Sequence, residues 1–193
     1  MARQEERRAA TRAALVEAGR ALFFEKGFAG TGTPEIVRAA GVTRGALYHH
    51  FADKADLFRA VARGEAEAVG AAIAERTEGL GSPEALAAGT AAYLDAMQVP
   101  GRARIMLVEA QAALGPEEAL ALLRSDGTGA LEAALGEVPA KERGALADLL
   151  SAAFDRAALR IAEGADREAT EAALMRLLAP YGRTAPPGAR GER

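Results

Sequence analysis

The stretch richest in reactive groups runs Gly41-Val42-Thr43-Arg44-Gly45-Ala46-Leu47-Tyr48-His49-His50-Phe51, with Lys54 just beyond it. A hydroxyl, a guanidinium, a phenol, two imidazoles and an ammonium fall close together. On a short helix capped by Thr43, these groups suit the reading of an anionic polymer through a groove. Thr43 and the first free amides can meet a phosphate at the positive helix end. Arg44 carries the fork that matches guanine O6 and N7. Gly45 and Ala46 keep the surface low so that the backbone can approach base edges, and Ala46 can touch a thymine methyl. Leu47 and Phe51, four apart, point inward and hold the helix on its scaffold. Tyr48 and His49 lie on the outward side, and His50 and Lys54 are placed to reach flanking phosphates.

Other chemistries find less support. His49 and His50 are adjacent, so on a helix they point about 100° apart and cannot chelate one ion together; no metal and no cofactor is expected. Gly30-Thr31-Gly32 has no preceding strand and no following Gly-Lys-Ser/Thr, so it reads as a loop rather than a phosphate cradle. The serines, Ser82, Ser125 and Ser151, lack the Gly-x-Ser-x-Gly setting, and both histidines belong to the stretch above. Glu117-Glu118 sits in a first helical turn and reads as a complement to the helix dipole. With no Cys, disulfide scaffolds, Cys-based zinc sites and iron–sulfur clusters are excluded. No enzymatic activity is expected.

The positioning elements read as helices. Apolar positions at Leu15, Ala18, Gly19, Leu22 and Phe23 predict a helix over residues 9–26, stopped by Gly27 with Phe28 folding back on its end. A second, short helix starts near Thr33 or Pro34 and ends at Gly41. Thr43 caps the third, Arg44 to His50, and the pair with its glycine-containing turn forms a helix-turn-helix. Asp53, with Asp56 three residues on, opens a long helix to about Arg76. Further helices are predicted from Ser82-Pro83 to about Val99 and from Arg102 to Leu114. Another runs from Pro116 to about Leu135, with a break or kink at Ser125-Asp126-Gly127, and the last two run from Pro139 to Gly164 and over 165–179. The chain of 193 residues is half hydrophobic yet only 5% aromatic, alanine making the difference. That bias favours helix, so the expectation is an all-α fold of about nine helices.

Charge divides the chain. Residues 1–63 hold 11 Lys+Arg against 7 Asp+Glu, a balance of +4, whereas the remainder holds 13 against 20, a balance of −7. A basic head suits a nucleic acid, and an acidic body must serve another purpose. No stretch approaches the roughly 20 apolar residues of a membrane span. The start, Met1 to Arg8, is charged of both signs, with no apolar signal core after it, so a cytoplasmic protein is expected.

From Thr11-Arg12 to Leu57 the chain resembles the TetR family of bacterial transcriptional repressors. The likeness is carried by Leu15-Val16-Glu17-Ala18-Gly19, Leu22-Phe23, Glu25-Lys26-Gly27-Phe28, Thr31, Ile36-Val37, Ala40-Gly41-Val42-Thr43, Gly45 to Phe51 and Lys54. One departure is Gly32-Thr33-Pro34, where the family more often has a hydroxyl cap and no proline. The resemblance implies a DNA-binding headpiece over residues 1–54 with Thr33 among its contacts. It also implies an effector and dimerisation domain over 55–180, whose last two long helices pair with a second subunit as a four-helix bundle. A disordered tail over 181–193 is expected from its Pro, Gly and Arg content. Leu146, Leu149, Leu150, Ala153, Ala157, Leu174, Leu177 and Leu178 lie on the apolar faces assigned to the dimer. Tyr93, Met97, Met106, Gln111, Phe154 and Asp155 are the candidates for an effector pocket. Asp155, set in an apolar run, needs a partner, either Arg104 or Arg160 or a ligand.

The function expected is a homodimeric, sequence-specific regulator of transcription, most simply a repressor released from operator DNA by a small-molecule effector. Two other classes remain at this level. One is an enzyme or carrier with a helix-turn-helix used for packing. The other is an activator or nucleoid protein without an effector.

Overall fold

The computed structural model describes residues 1–124, 131–132, 135 and 138–181, and among them every regular element is helical. The elements are α1 (Ala2–Gly30), α2 (Thr33–Ala39), α3 (Arg44–His50), α4 (Lys54–Thr77) and α5 (Ser82–Met97). There follows a run, here α6, made of Arg102–Arg104, a π turn Ile105–Glu109 and Ala110–Leu114. After it come α7 (Pro116–Arg124), α8 (Ala140–Ala162) and α9 (Arg167–Leu178). The expected break at Ser125-Asp126-Gly127 and the tail residues 182–193 lie outside the described residues. Tyr181, assigned to the tail by sequence, packs on an apolar core.

Cap chemistry accounts for most of the boundaries. Thr43 Oγ1 accepts the Ala46 amide at 3.2 Å, starting α3 as the sequence predicts. Asp53 Oδ1 accepts the Asp56 amide at 2.7 Å while Asp56 Oδ2 accepts from Ala52 N at 3.0 Å, which fixes the entry to α4. Asp166 caps α9 through Ala169 N at 2.7 Å. Gly27, at φ 74°, breaks α1 where the stop is expected. The helix begins seven residues earlier than its apolar pattern suggests, at Ala2, because Ala, Arg, Glu and Gln are strong helix formers even without a face to bury.

The described chain forms two compact units. One comprises Met1–Glu67 and Val99–Leu123, the other Ala68–Gln98 and the described residues from Arg124 on. The first is built on Leu15, Phe23, Ile36, Leu47, Phe51, Leu57 and Phe58, with Ile105, Ala110 and Ala119 from α6 and α7. Phe23 and Phe28 both meet Phe58 edge-on, at 5.1 and 5.4 Å between centroids. The core of the second consists of Leu86 and Leu94 of α5, Leu135, Ala147, Leu150, Phe154 and Ala157 of α8, and Leu174 and Leu178 of α9. No helix among the described residues is long and apolar enough to cross a membrane.

Candidate nucleic-acid interface

α3 turns one face in and the other out. Leu47 is fully buried and Phe51 nearly so, while Thr43, Arg44, Gly45, Tyr48 and His49 are exposed and Ala46 and His50 are half-buried. Ile36 anchors α2 in the same core, so the two short helices share one scaffold and leave the Arg44 face clear. The Arg44 guanidinium lies 5.5 Å from the centroid of the Tyr48 ring one turn on. That stacking orders a flexible fork before any partner arrives. Thr33, half-buried at the start of α2, comes to the same place. The Thr33 hydroxyl first, and then Arg44, hold the Tyr48 phenol below its ordinary value of 10.0.

Gly45 has no reason of its own to be glycine. Its φ is not positive, and a Cβ built there would meet nothing nearer than Thr43 Oγ1 at 3.9 Å. Gly45 lies in the first turn of α3, where alanine would also fit, so the absence of a side chain leaves this outer surface bare to anything that approaches α3 from outside.

Lys54 is a correction. The sequence reading sends it to a flanking phosphate, but its ammonium donates to the carbonyls of Phe28 at 2.7 Å and Thr31 at 2.9 Å and lies 4.2 Å from the Phe28 centroid. At the corner after α1 the Phe28 carbonyl accepts only a long 3.4 Å bond from the Thr31 amide, and Lys54, at the start of α4, adds a donor to it and to the Thr31 carbonyl. Sequence spacing does not show that the corner and the start of α4 meet.

The same is true of the carboxylates that hold α6 in this unit. Glu109, in the π turn, accepts the Phe28 amide at 2.8 Å and binds Arg104 at 3.1 Å, while Arg104 also donates to the Phe24 carbonyl at 3.1 Å. By sequence this run reads as a plain helix. The wider turn, marked by the Ala110 amide bonding back to Ile105 O, carries Glu109 to the break at Gly27. Glu65 of α4, only 6% exposed, is bound by Arg20 of α1 and by Arg102 Nε at 2.6 Å. The two guanidiniums overcome the cost of burial, so the carboxyl is held below its ordinary value of 4.5.

The six effector candidates divide. Met106, buried, and Gln111, exposed, belong to the first unit. The exposure of Gln111 removes the reason to single it out as a polar group inside an apolar run. In the second unit Tyr93, Phe154 and Asp155 come together, with Met97 buried on the same helix as Tyr93. The Tyr93 hydroxyl donates to Asp155 Oδ1 at 2.8 Å and its ring meets Phe154 edge-on at 5.5 Å. Asp155 thus has a phenol as partner, and neither Arg104, which pairs with Glu109, nor Arg160 takes that place. Burial raises the Asp155 carboxyl above its ordinary 3.8 and the Tyr93 phenol well above 10.0. A groove of about 370 Å³ in the same unit is lined by Leu135, Val138, Pro139, Glu142, Leu146, Pro180 and Tyr181, apart from these candidates.

The eight dimer candidates also divide. Leu150, Ala157, Leu174 and Leu178 are buried in the chain's own core and are not available to a partner, and Leu146 and Ala153 pack at its edge. Leu149 and Leu177 point outward, 71% and 53% exposed. A helical apolar pattern marks every buried position alike, whichever chain buries it, which is why sequence merges the two sets.

Known proteins share both the head and the body. Residues 15–61 match the profile of bacterial regulatory proteins of the tetR family, and residues 83–180 match that of the tetracyclin repressor-like C-terminal domain. The HTH-type transcriptional regulator AcrR of Shigella flexneri is 50% identical over 48 residues, 25% of this chain and 22% of AcrR. The curated relatives are thus matched over a minor part of their length. A TetR-family transcriptional regulator from Pectobacterium atrosepticum superposes with TM-score 0.63 at 30% identity, over 91% of this chain and 93% of that one. LfrR from Mycobacterium smegmatis, solved in complex with proflavine, gives TM-score 0.63 at 24% identity, over 92% and 99%.

Proposed function

The chain belongs to the TetR family of bacterial regulatory proteins, and from that premise we propose that it is a sequence-specific DNA-binding repressor released from its operator by a small-molecule effector. The observation that carries this is the outer face of α3, where Gly45 is bare without structural need and Arg44 is stacked on Tyr48. Arg44 reads base edges, with Ala46 beside it, while Thr43, Tyr48, His49, His50 and Thr33 contact the backbone that fixes the register. Lys54 acts from within, holding the corner that sets α2 and α3.

A single recognition helix spans too few base pairs to be selective. Two copies of the chain, joined through the outward faces of α8 and α9 around Leu149 and Leu177, would present two heads about 34–36 Å apart to successive major grooves. The headpiece of residues 1–54 serves DNA, and residues 55–180 serve effector and partner. The effector acts on the half-buried Tyr93–Asp155 pair, a polar spot at the edge of an apolar core. The proflavine complex of LfrR supports a small molecule in this fold. Such a ligand changes operator affinity only by as much as it favours one conformer over the other. On this reading the chain performs no catalysis and works in the cytoplasm, where the operator is.

The test is a titration of the protein against the duplex upstream of its own gene and against a scrambled duplex, at two salt concentrations. Tight, salt-steep binding to the first duplex alone is expected. Arg44→Ala should cut that preference by roughly 1–3 kcal/mol while leaving the affinity for the scrambled duplex nearly intact. Equal, weak binding of the wild type to both duplexes, with no other genomic duplex preferred, would overturn the reading.

A further inference from the structure

α1 extends beyond the core it serves. Its first fully buried residue is Leu15, and the residues from Arg3 to Ala10 are all exposed. An overhang of this length, without an apolar face, gains nothing from packing and is marginal as a helix on its own. It carries Arg8 and Arg12 one turn apart on one side, and α1 packs against α3. The Arg12 guanidinium lies 5.2 Å from the Phe51 centroid at the end of α3. His50, the residue before, stands next to His49, ring centroids 5.4 Å apart.

Four basic side chains from two helices therefore gather at the C-terminal end of the recognition helix. No carboxylate pairs with Arg8, Arg12, His49 or His50 among the described residues, although Arg20, Arg59, Arg102 and Arg104 in the same unit all have one. Burial, then His49, Arg8 and Arg12, hold the His50 imidazole below its ordinary 6.5. The cluster carries like charges close together in the free protein, and an anion from outside would stabilise it.

Resting on the DNA-binding reading above, we propose that Arg8 and Arg12 of α1 join His50 of α3 in a cradle for backbone phosphate, extending the DNA interface beyond the recognition helix along the strand. The occupant is a phosphodiester because the cradle adjoins the face that Arg44 presents to the groove, and the duplex supplies phosphates at regular spacing to either side of it. A phosphate there also favours the charged imidazole. The free protein holds His50 neutral near pH 7, so DNA binding should draw a proton onto it. Affinity should then rise as pH falls, from above the bound-state value toward the free-state value below 6.5.

The experiment compares wild type, Arg8→Gln/Arg12→Gln, Arg12→Lys and His50→Gln on the preferred duplex and on a scrambled one, across salt and between pH 8 and pH 6. Removing one cation from a phosphate lowers the slope of log affinity against log salt by roughly 0.9. The double glutamine variant should therefore flatten the slope by about 2 per head and lose roughly 10- to 100-fold in affinity on both duplexes alike, since phosphates carry no base information. Arg12→Lys should keep the slope. His50→Gln should weaken the pH dependence, the remainder belonging to His49. Melting temperatures measured alongside separate a loss of folding from a loss of phosphate contact, since Arg12 also stacks on Phe51 and His50 is half-buried. A double variant with wild-type slope and affinity, or a His50→Gln variant with wild-type pH dependence, overturns the cradle while leaving the repressor reading standing. A wild type without duplex preference or salt dependence overturns both.

Discussion

The first compact unit buries the carboxylate of Glu65 and the second half-buries that of Asp155, and the two are satisfied in opposite ways. Glu65, in the first, is clasped by Arg20 and Arg102 and held below its ordinary value. Asp155, in the second, has a neutral phenol for a partner and is raised. A buried charge with two opposite charges around it is a fastening, costly to open and specific in where it holds α1, α4 and α6. A half-buried carboxylate with only a phenol is stable enough to persist but remains open to a better partner. The first arrangement fixes the geometry of its unit, and the second leaves the site that the proposed function assigns to a ligand.

The sharpest way to break this contrast is to remove Glu65. Glu65→Ala leaves two guanidiniums, one of them 12% exposed, facing each other without a counter-charge. Opening a buried ion pair from one side costs about 3–5 kcal/mol, and the partial exposure of Arg20 brings the expectation to about 3. Urea denaturation should show that loss, and Glu65→Gln, which keeps an acceptor, should show less of it. A Glu65→Ala variant within about 1 kcal/mol of wild type would mean the clasp is a surface pair with no structural role.

Two positive-φ glycines, one from each unit, differ in their surroundings. Gly101 of the first unit has φ 85°, and a Cβ there would stand 2.4 Å from the Phe24 ring and 2.9 Å from Phe24 Cβ. Gly164 of the second unit has φ 96° with open space around it. Left-handed backbone costs a non-glycine residue roughly 1–2 kcal/mol, so Gly164→Ala should lose about 1 kcal/mol. Gly101→Ala adds a clash with atoms close to the Phe24 backbone, which cannot swing aside, and should lose about 2 or more. Equal losses at the two sites would show that Phe24 yields freely, and that the tightness of the first unit is only apparent.

How much can be read from sequence follows the same division. In the head the deciding signals are local: the Thr43 cap, the Gly27 stop, the Asp53–Asp56 pair, and the four-residue spacing of Leu47 and Phe51. Their partners lie within a few residues, so type and spacing suffice. Lys54 escapes such a reading because its acceptors, the Phe28 and Thr31 carbonyls, come from another helix end. The pairings of Glu65 with Arg20 and Arg102, and of Glu109 with the Phe28 amide, leave no local signature, since each spans 37 or more residues. In the body, periodicity yields the helices but not which face meets the chain's own core. Leu150 and Leu149 are adjacent in sequence and opposite in burial, and the pattern that finds both does not sort them. Sequence marks Tyr93 and Asp155 singly, and only the fold shows them 2.8 Å apart.

Asp155→Asn is the gentlest test and the most discriminating. The amide keeps the hydrogen bond from Tyr93 through its oxygen and removes the charge, so at pH 7 the variant should be more stable than wild type by about 1 kcal/mol. The sign of its pH dependence follows from the direction of the shift. An acid raised in the folded state binds its proton more tightly there than in the unfolded chain. Its favourable contribution is complete below the unfolded value of 3.8 and is lost as pH rises through the folded value. The advantage of Asp155→Asn should therefore be near zero at about pH 3.8 and grow toward neutrality. Glu65 runs the other way, contributing fully above its unfolded value of 4.5 and losing that contribution as pH falls through the depressed folded value. As pH falls, the stability advantage of Asp155→Asn over wild type should shrink while the deficit of Glu65→Gln also shrinks, so the two differences from wild type change with opposite sign. If both differences changed with the same sign, the two carboxylates would be in the same electrostatic state, and the contrast between the two units would fail at its chemical basis.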